Sequence, residues 1–316
     1  MINLDNEYTW NWKNGWFIVD IKPDAHIGRK GHERAAWLKA LKQPYPSIFP
    51  GDLLECINPV DPRYCKGEHG KYSILNAYHQ LLVDLEPHEK KIIGIGKGNH
   101  EDHWFRAQGN AYQDNVIFTD ENGVDHIAIA GLCPTLKTRY LGSIAYLVFT
   151  KNRGRKVSRW QIGHPSKGKI EYKSGEEARK STNEKIKAKT IQSHLSDADI
   201  YISGHFHIGV IMPPQFTTRR RFVWDKRKKK LLPKYVCTDH RWYCTCPSFV
   251  RNYKDMEDCG YEEAWQLSLS DTGWLRVWMD ENLVIRKVRI ISVDDDMEIS
   301  ESLGPDPEKL EFMPGN

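Results

Sequence analysis

The run Lys91-Ile92-Ile93-Gly94-Ile95-Gly96 passes directly into Lys97-Gly98-Asn99-His100-Glu101. The apolar part reads as a buried strand. The polar corner therefore stands where a strand ends and the chain turns, the place where parallel α/β sheets put their chemistry. Asparagine offers a neutral oxygen ligand, histidine a proton or a metal ligand, and glutamate a charge. A strand of this kind needs a sheet beside it and helices over it, and the preceding residues supply both.

Gly15 to Ile21 reads as a first strand, and Lys22 to Gly28 as a loop marked by Pro23 and Gly28. His32 to Gln43 has helical spacing of Ala36, Leu38 and Leu41, and Pro44 ends it. Ser47-Ile48-Phe49 is a short strand leading to Pro50-Gly51-Asp52. Tyr72 to Leu85 carries Ile74, Leu75, Tyr78, Leu81, Leu82 and Leu85 on one helical face. This alternation predicts an α/β sheet. Further strands are expected at Val116–Phe118, Ile127–Ile129, Ile144–Phe149, Val157–Ile162, Ile200–Ser203, Trp274–Met279 and Leu283–Ile291. Turns are expected at Glu121-Asn122-Gly123 and Asp280-Glu281-Asn282, and Glu176–Leu195 reads as a charged surface helix.

The expected organisation is one domain over residues 1–292, with a basic, aromatic peripheral insertion at about 213–270. An acidic, flexible tail is expected over 293–316. With 40% apolar and 28% charged residues the chain is globular, not disordered. Its eleven Trp and fourteen Tyr fill a core or make stacking surfaces, the core being favoured. Seven cysteines, an odd number, and an N-terminus without a basic-then-apolar signal pattern point to reduced thiols in a cytoplasmic protein. No run approaches the ~20 apolar residues of a membrane helix.

Asp24-x-His26, Gly51-Asp52, Gly98-Asn99-His100-Glu101, Gly163-His164 and Gly204-His205-x-His207 each follow an expected strand. Singly, none is specific. Nitrogen and carboxylate donors without cysteine suit Mn²⁺, Fe or Zn²⁺. Two such ions ~3.5–4 Å apart clamp the attacking and leaving oxygens of an in-line phosphoryl displacement, and they need a bridging carboxylate.

The ordered set resembles the calcineurin-like metallophosphoesterase family, over about residues 15–210. The resemblance implies a two-sheet β-sandwich flanked by helices, an α/β fold of four layers. It implies two divalent metal ions, manganese favoured and iron or zinc as alternatives. Asp24, His26 and His207 would hold the first ion, and Asn99, His164 and His205 the second, with Asp52 bridging. A metal-activated hydroxide would attack phosphorus, and His100 would act as general acid or as a stabilising cation.

The chain departs from the family pattern at three points. Glu55 stands where some relatives carry an Asp that orients the histidine matching His100, Pro165 follows His164, and Asp20 is an alternative ligand in the strand proper. His103 is a candidate support behind the ligands, with an ordinary surface position as the favoured reading.

Two other signals are set aside. Gly94-Ile95-Gly96-Lys97-Gly98 lacks the spacing of a nucleotide loop. Cys237, Cys244, Cys246 and Cys259, with Asp239 and His240, fit no common zinc pattern, and buried thiols are favoured. The net charge of +4 says little, but its distribution says more. Arg219, Arg220, Arg221, Phe222, Trp224, Lys226, Arg227 and Lys228 follow closely on His205 and His207. Basic side chains grip phosphates and rings stack bases, so these are candidate nucleic-acid contacts. The favoured function is a phosphodiesterase or nuclease on DNA or RNA. A phosphomonoesterase acting on phosphoprotein or nucleotide, and an inactive nucleic-acid-binding module, are the alternatives.

Overall fold

The computed structural model describes residues 1–57, 74–101, 118–119, 125–126, 129–164, 197–214, 219–225, 230–236, 241–251, 271–293 and 298–302. Two mixed sheets carry the fold. One runs in the order β18 (Glu298–Ser302), β17 (Ile285–Ser292), β16 (Gly273–Met279), β3 (Trp16–Ile21), β4 (Ser47–Phe49), β5 (Ile92–Gly96), β8 (Arg139–Gly142), with β2 (Trp12–Lys13) also on β3. The other runs β1 (Ile2–Asn3), β9 (Ile144–Lys151), β10 (Lys156–Gly163), β11 (Ile200–Ser203), β15 (Trp242–Thr245), β12 (Val210–Met212). Two separate hairpins pair β6 (Phe118–Thr119) with β7 (Asp125–His126), and β13 (Arg219–Asp225) with β14 (Lys230–Val236).

Strand alternation sends side chains to opposite faces, so the sheets contribute to more than one core. Phe17, Val19, Ile21, Ile48, Leu275 and Val277 point inward from the first sheet and meet Phe149, Trp160, Ile200, Ile202 and Trp242 from the second. Phe49, Ile95 and Trp274 belong to a second core, under α1 (Arg34–Leu41), α2 (Ile74–Leu85) and α3 (Ile129–Thr135). Three of the four expected layers are thus seen among the described residues, as an α/β fold of two mixed sheets with flanking helices. Trp37, Trp160, Trp242 and Trp274 are almost fully buried, so the tryptophan load goes substantially into core. Truncating one to Ala would cost about 3–5 kcal/mol.

Four expectations change. Ile129 opens helix α3, not a strand. Leu132, Cys133 and Leu136 have helical spacing and bury against the first sheet's helical layer, so tertiary packing overrides the β-rich local composition. The region expected as a peripheral insertion, 213–270, contains β15, which sits inside the second sheet, parallel to β11 and antiparallel to β12. The reason is its composition: Trp242, Tyr243, Cys244 and Thr245 are all buried, a short run suited to a two-sided interior strand. Residues 298–302, expected as part of a loose tail, add an edge strand antiparallel to β17. Asp20 faces away from the sandwich core and pairs with Arg276, its cross-strand partner in β16 (2.6 and 3.1 Å), so it is spent on a structural ion pair. The helix expected over 176–195 lies outside the described residues, as do Cys237 and Cys259; Cys56, Cys133, Cys244 and Cys246 are buried free thiols.

Candidate metal centre

β3, β4 and β5 are mutually parallel, and β10 is parallel to β11. Their carboxyl ends therefore open on one edge of the sandwich. Asp24 and His26 follow β3, Asp52 follows β4, Asn99 and His100 follow β5, His164 follows β10, and His205 and His207 follow β11. Both sheets thus deliver side chains to one corner, where His164 Nε2 lies 2.9 Å from Asp24 Oδ1 and 3.2 Å from Asp52 Oδ2.

The loops reach this geometry through unusual backbone. Asp24, His26, Asp52, His205 and His207 all have φ between 47° and 78°, the left-handed region that non-glycine residues seldom occupy. Such conformations cluster at functional sites, each costing about 1–3 kcal/mol. Two glycines in the motifs serve close approach. A Cβ on Gly98 would meet Asp52 Oδ1 at 2.0 Å, and one on Gly204 would meet the His164 ring at 2.8 Å. Only a residue without a side chain lets these strand ends come together.

Three groups of donors converge among the described residues. Asp24, His26 and His207 form the first, Asp52, His164 and His205 the second, and His26, Glu55 and His100 the third. In the first, His26 Nε2 is 3.2 Å from His207 Nε2 and 3.9 Å from Asp24 Oδ1, and His207 Nε2 is 3.4 Å from Asp24 Oδ1. Bonds of about 2.0–2.2 Å to one cation separate neighbouring ligand atoms by about 3.0–3.5 Å, so two of these spacings match an ion and the His26–Asp24 one is slightly wide. Asp52 Oδ2, in the second, and Asn99 Oδ1 are buried and accept no hydrogen bond among the described residues, although Asp52 Oδ2 lies within ion-pair distance of His164. Buried oxygens left so are costly unless a cation takes them. Asp52 Oδ2 also lies 4.0 Å from His26 Nε2, which brings it within reach of the first two groups. The donor set therefore fits divalent cations.

The electrostatics agree. Burial lifts the Asp52 carboxyl well above the usual carboxylate range; Glu101 and Asp24 add to this, and His164 opposes it. Burial would raise Asp24 too, but His164 and His207 outweigh it and hold that carboxyl well below its usual range. Burial alone would lower His164, yet Asp52 and Asp24 carry it up to about 9. His26 is pushed down to about 4, chiefly by burial, which keeps it a neutral nitrogen donor. The crowding of Asp24, Asp52 and Glu101 around His164 thus couples these groups, and each shifts in response to the others.

Glu101 has a different task. Its carboxylate accepts from the backbone N–H groups of Asp52 (3.1 Å), Leu54 (3.0 Å) and Gly98 (2.7 Å). It ties the loop after β4 to the loop after β5 and belongs to none of the donor groups found among the described residues. Glu55 meets two histidines. Its carboxylate binds His26 Nδ1 at 2.6 Å, whereas His100 Nδ1 goes to the Glu55 main-chain oxygen at 2.8 Å. Asp271 was missed at the sequence level: its carboxylate accepts from Gly209 N–H and its own N–H donates to His207 O, closing the last motif loop. No local pattern marks it, since it arrives from far along the chain.

His103, Lys226, Arg227 and Lys228 lie outside the described residues. Arg219, Arg220, Arg221, Phe222 and Trp224 lie on β13, in a ribbon that joins neither large sheet among the described residues. Among those residues no helix is long and apolar enough to cross a membrane.

No family model and no curated protein matches the sequence. Solved structures similar to this chain include a phosphoesterase from E. coli, at 12% identity over 90% of this chain and 99% of that one, TM-score 0.40. A metallophosphoesterase from Sphaerobacter thermophilus is similar at 12% identity over 88% of each chain, TM-score 0.39. Vps29 from Entamoeba histolytica, in complex with zinc, is similar at 9% identity over 91% of this chain and 98% of that one, TM-score 0.37. At these scores the likeness carries no weight on chemistry, which rests on the residues of the corner itself.

Proposed function

We propose that this protein is a metal-dependent phosphoesterase of the calcineurin-like kind, and within that class a phosphodiesterase acting on DNA or RNA. The observation that carries the reading is the pair of donor groups that share reach to Asp52 Oδ2, beside a histidine held outside both. Asp24, His26 and His207 would hold one cation, Asn99, His164 and His205 the other, and Asp52 would serve both. Bound cations supply a nucleophile from water at neutral pH and neutralise charge developing on the phosphoryl oxygens.

The protein's own contribution is orientation and proton handling. A backbone carbonyl only accepts, so His100 carries a proton on Nδ1, which donates to Glu55 O. Its Nε2 is then the end that can face a substrate. With Nδ1 so occupied, the proton that His100 can give as an acid is the second one, on Nε2 of its cationic form, and that proton would pass to the leaving oxygen as its bond to phosphorus breaks. The Asp52 Oδ1 contact to the His100 N–H (2.8 Å) keeps that ring beside the carboxylate. The polymer preference is supported by the basic, aromatic β13, which follows the last two histidine ligands in the chain.

The deciding experiment is a substrate panel with Mn²⁺, Fe²⁺ and Zn²⁺. Hydrolysis of bis(p-nitrophenyl) phosphate and of oligonucleotides, lost to chelator, is expected. No turnover with any metal sinks the enzyme reading, and turnover of monoesters alone replaces it with a phosphomonoesterase.

A further inference from the structure

The loops after β3 and β4 do not separate at the strand ends. They continue side by side: Asp24 N–H donates to Gly51 O, His26 N–H to Asp52 O, Ile27 N–H to Leu53 O, and Glu55 N–H to Ile27 O. Ile27 and Leu54 form a parallel bridge within this ladder. The two motifs are thus zipped in register, and the register sets Glu55, only 3% exposed, against the His26 ring. The Glu55 carboxylate reaches His26 Nδ1 at 2.6 Å but stays 3.6 Å from His100 Nδ1, which takes the main-chain oxygen instead.

We propose that Glu55 is a positioning residue with two separate outputs: its side chain orients His26 toward the first cation, and its main-chain oxygen holds His100 Nδ1. The proposal rests on the reading of Asp24, His26 and His207 as a cation site. An ionised carboxylate only accepts, so the contact places the His26 proton on Nδ1 and leaves the Nε2 lone pair facing His207 and Asp24. Such a partner fixes ring and tautomer and raises ligand basicity. The same logic excludes a third ion between His26, Glu55 and His100, although their donor atoms cluster. Both Nδ1 positions carry protons there and have no lone pair to give. The two rings meet edge to face, 4.5 Å between centroids, so a shift of one is felt by the other unless each is held independently.

The test is calorimetric titration of Mn²⁺ into metal-free wild type, Glu55→Gln and Glu55→Ala. Gln keeps the shape and an accepting oxygen but not the charge, and thermal unfolding checks that each variant folds. Glu55→Ala is expected to weaken one of the Mn²⁺ binding steps by about 10–100-fold, with Glu55→Gln recovering part of the loss. The acid limb of the kcat–pH profile at saturating Mn²⁺ is expected to stay in place in both. Unchanged Mn²⁺ affinity overturns the proposal. So does an acid limb that moves while affinity holds, because Glu55 would then be the partner of His100. If the wild type binds Mn²⁺ but hydrolyses no phosphoester, the proposed function falls while the calorimetric arm still decides the role of Glu55.

Discussion

The metal corner and the β13–β14 ribbon are built on opposite principles. The corner draws residues from five strands in two sheets, buries nearly all of them, and locks them with Glu101, Glu55 and left-handed backbone. The ribbon is hydrogen-bonded only to itself among the described residues, a pairing from Arg219↔Val236 to Asp225↔Lys230. An isolated two-stranded ribbon has marginal stability of its own. The contrast separates two ways of building: a site assembled from many strands holds fixed distances through tertiary depth, whereas a two-stranded ribbon presents side chains on a locally paired backbone.

That contrast can be broken at either end. The largest effect is expected from Asp52→Asn, which removes the charge within reach of the first two donor groups. Hydrolysis of bis(p-nitrophenyl) phosphate should fall to background, and calorimetry should show the loss of at least one Mn²⁺. Next comes His100→Ala, expected to lower turnover by about 10²–10⁴-fold while leaving Mn²⁺ stoichiometry intact. Full activity in that variant would remove His100 from proton transfer.

A third effect concerns pH. His32 donates from Nδ1 to Ala25 O at 2.7 Å, and burial pushes it down to about 4. The unfolded chain, with a histidine near 6.5, binds more protons between those values. Stability contributed by neutral His32 is therefore present above about 6.5 and lost as pH falls toward 4, on the order of 3 kcal/mol. Urea unfolding of the metal-free protein at pH 7 and pH 4.5 should show the loss, and His32→Asn should shrink it. The smallest effect belongs to the ribbon. Replacing Arg219, Arg220 and Arg221 by Gln should weaken single-stranded DNA binding about 10-fold at low salt. It should also flatten the salt dependence, by about 0.7 in slope for each phosphate no longer neutralised. Turnover of the small diester should not change. A matching loss there would mean that the ribbon belongs to the corner after all.

Much of the corner was legible because its residue types are chemically scarce: Asp-x-His, Gly-Asp, Asn-His and Gly-His-x-His at strand ends have few other uses in this order. The first strands were legible from apolar runs, and Ser47–Phe49 and Ile200–Ser203 fall as expected. What was not legible depends on distance. Trp242–Thr245 has no local sign of entering the second sheet, since its partners β11 and β12 lie about thirty or more residues away. The sequence leaves open which histidine Glu55 serves, and the parallel zipper of the two loops turns its carboxylate to His26. Asp20 had the right chemistry for a ligand but the wrong face, a matter of strand parity and of Arg276 arriving from β16.

The pairing of Met212 with Tyr243 has a consequence for how the chain could have been assembled and can be re-engineered. The path leaves the second sheet after Met212 and re-enters at Trp242, on the adjacent antiparallel strand. Departure and return are therefore neighbours, about 5 Å apart across the ladder. Everything between them, the ribbon included, is topologically a long hairpin loop, and a short turn could replace it without shifting the register of any other strand. The ribbon is in that sense a cassette, exchangeable while the two-sheet frame and its metal-binding candidates are left as they stand.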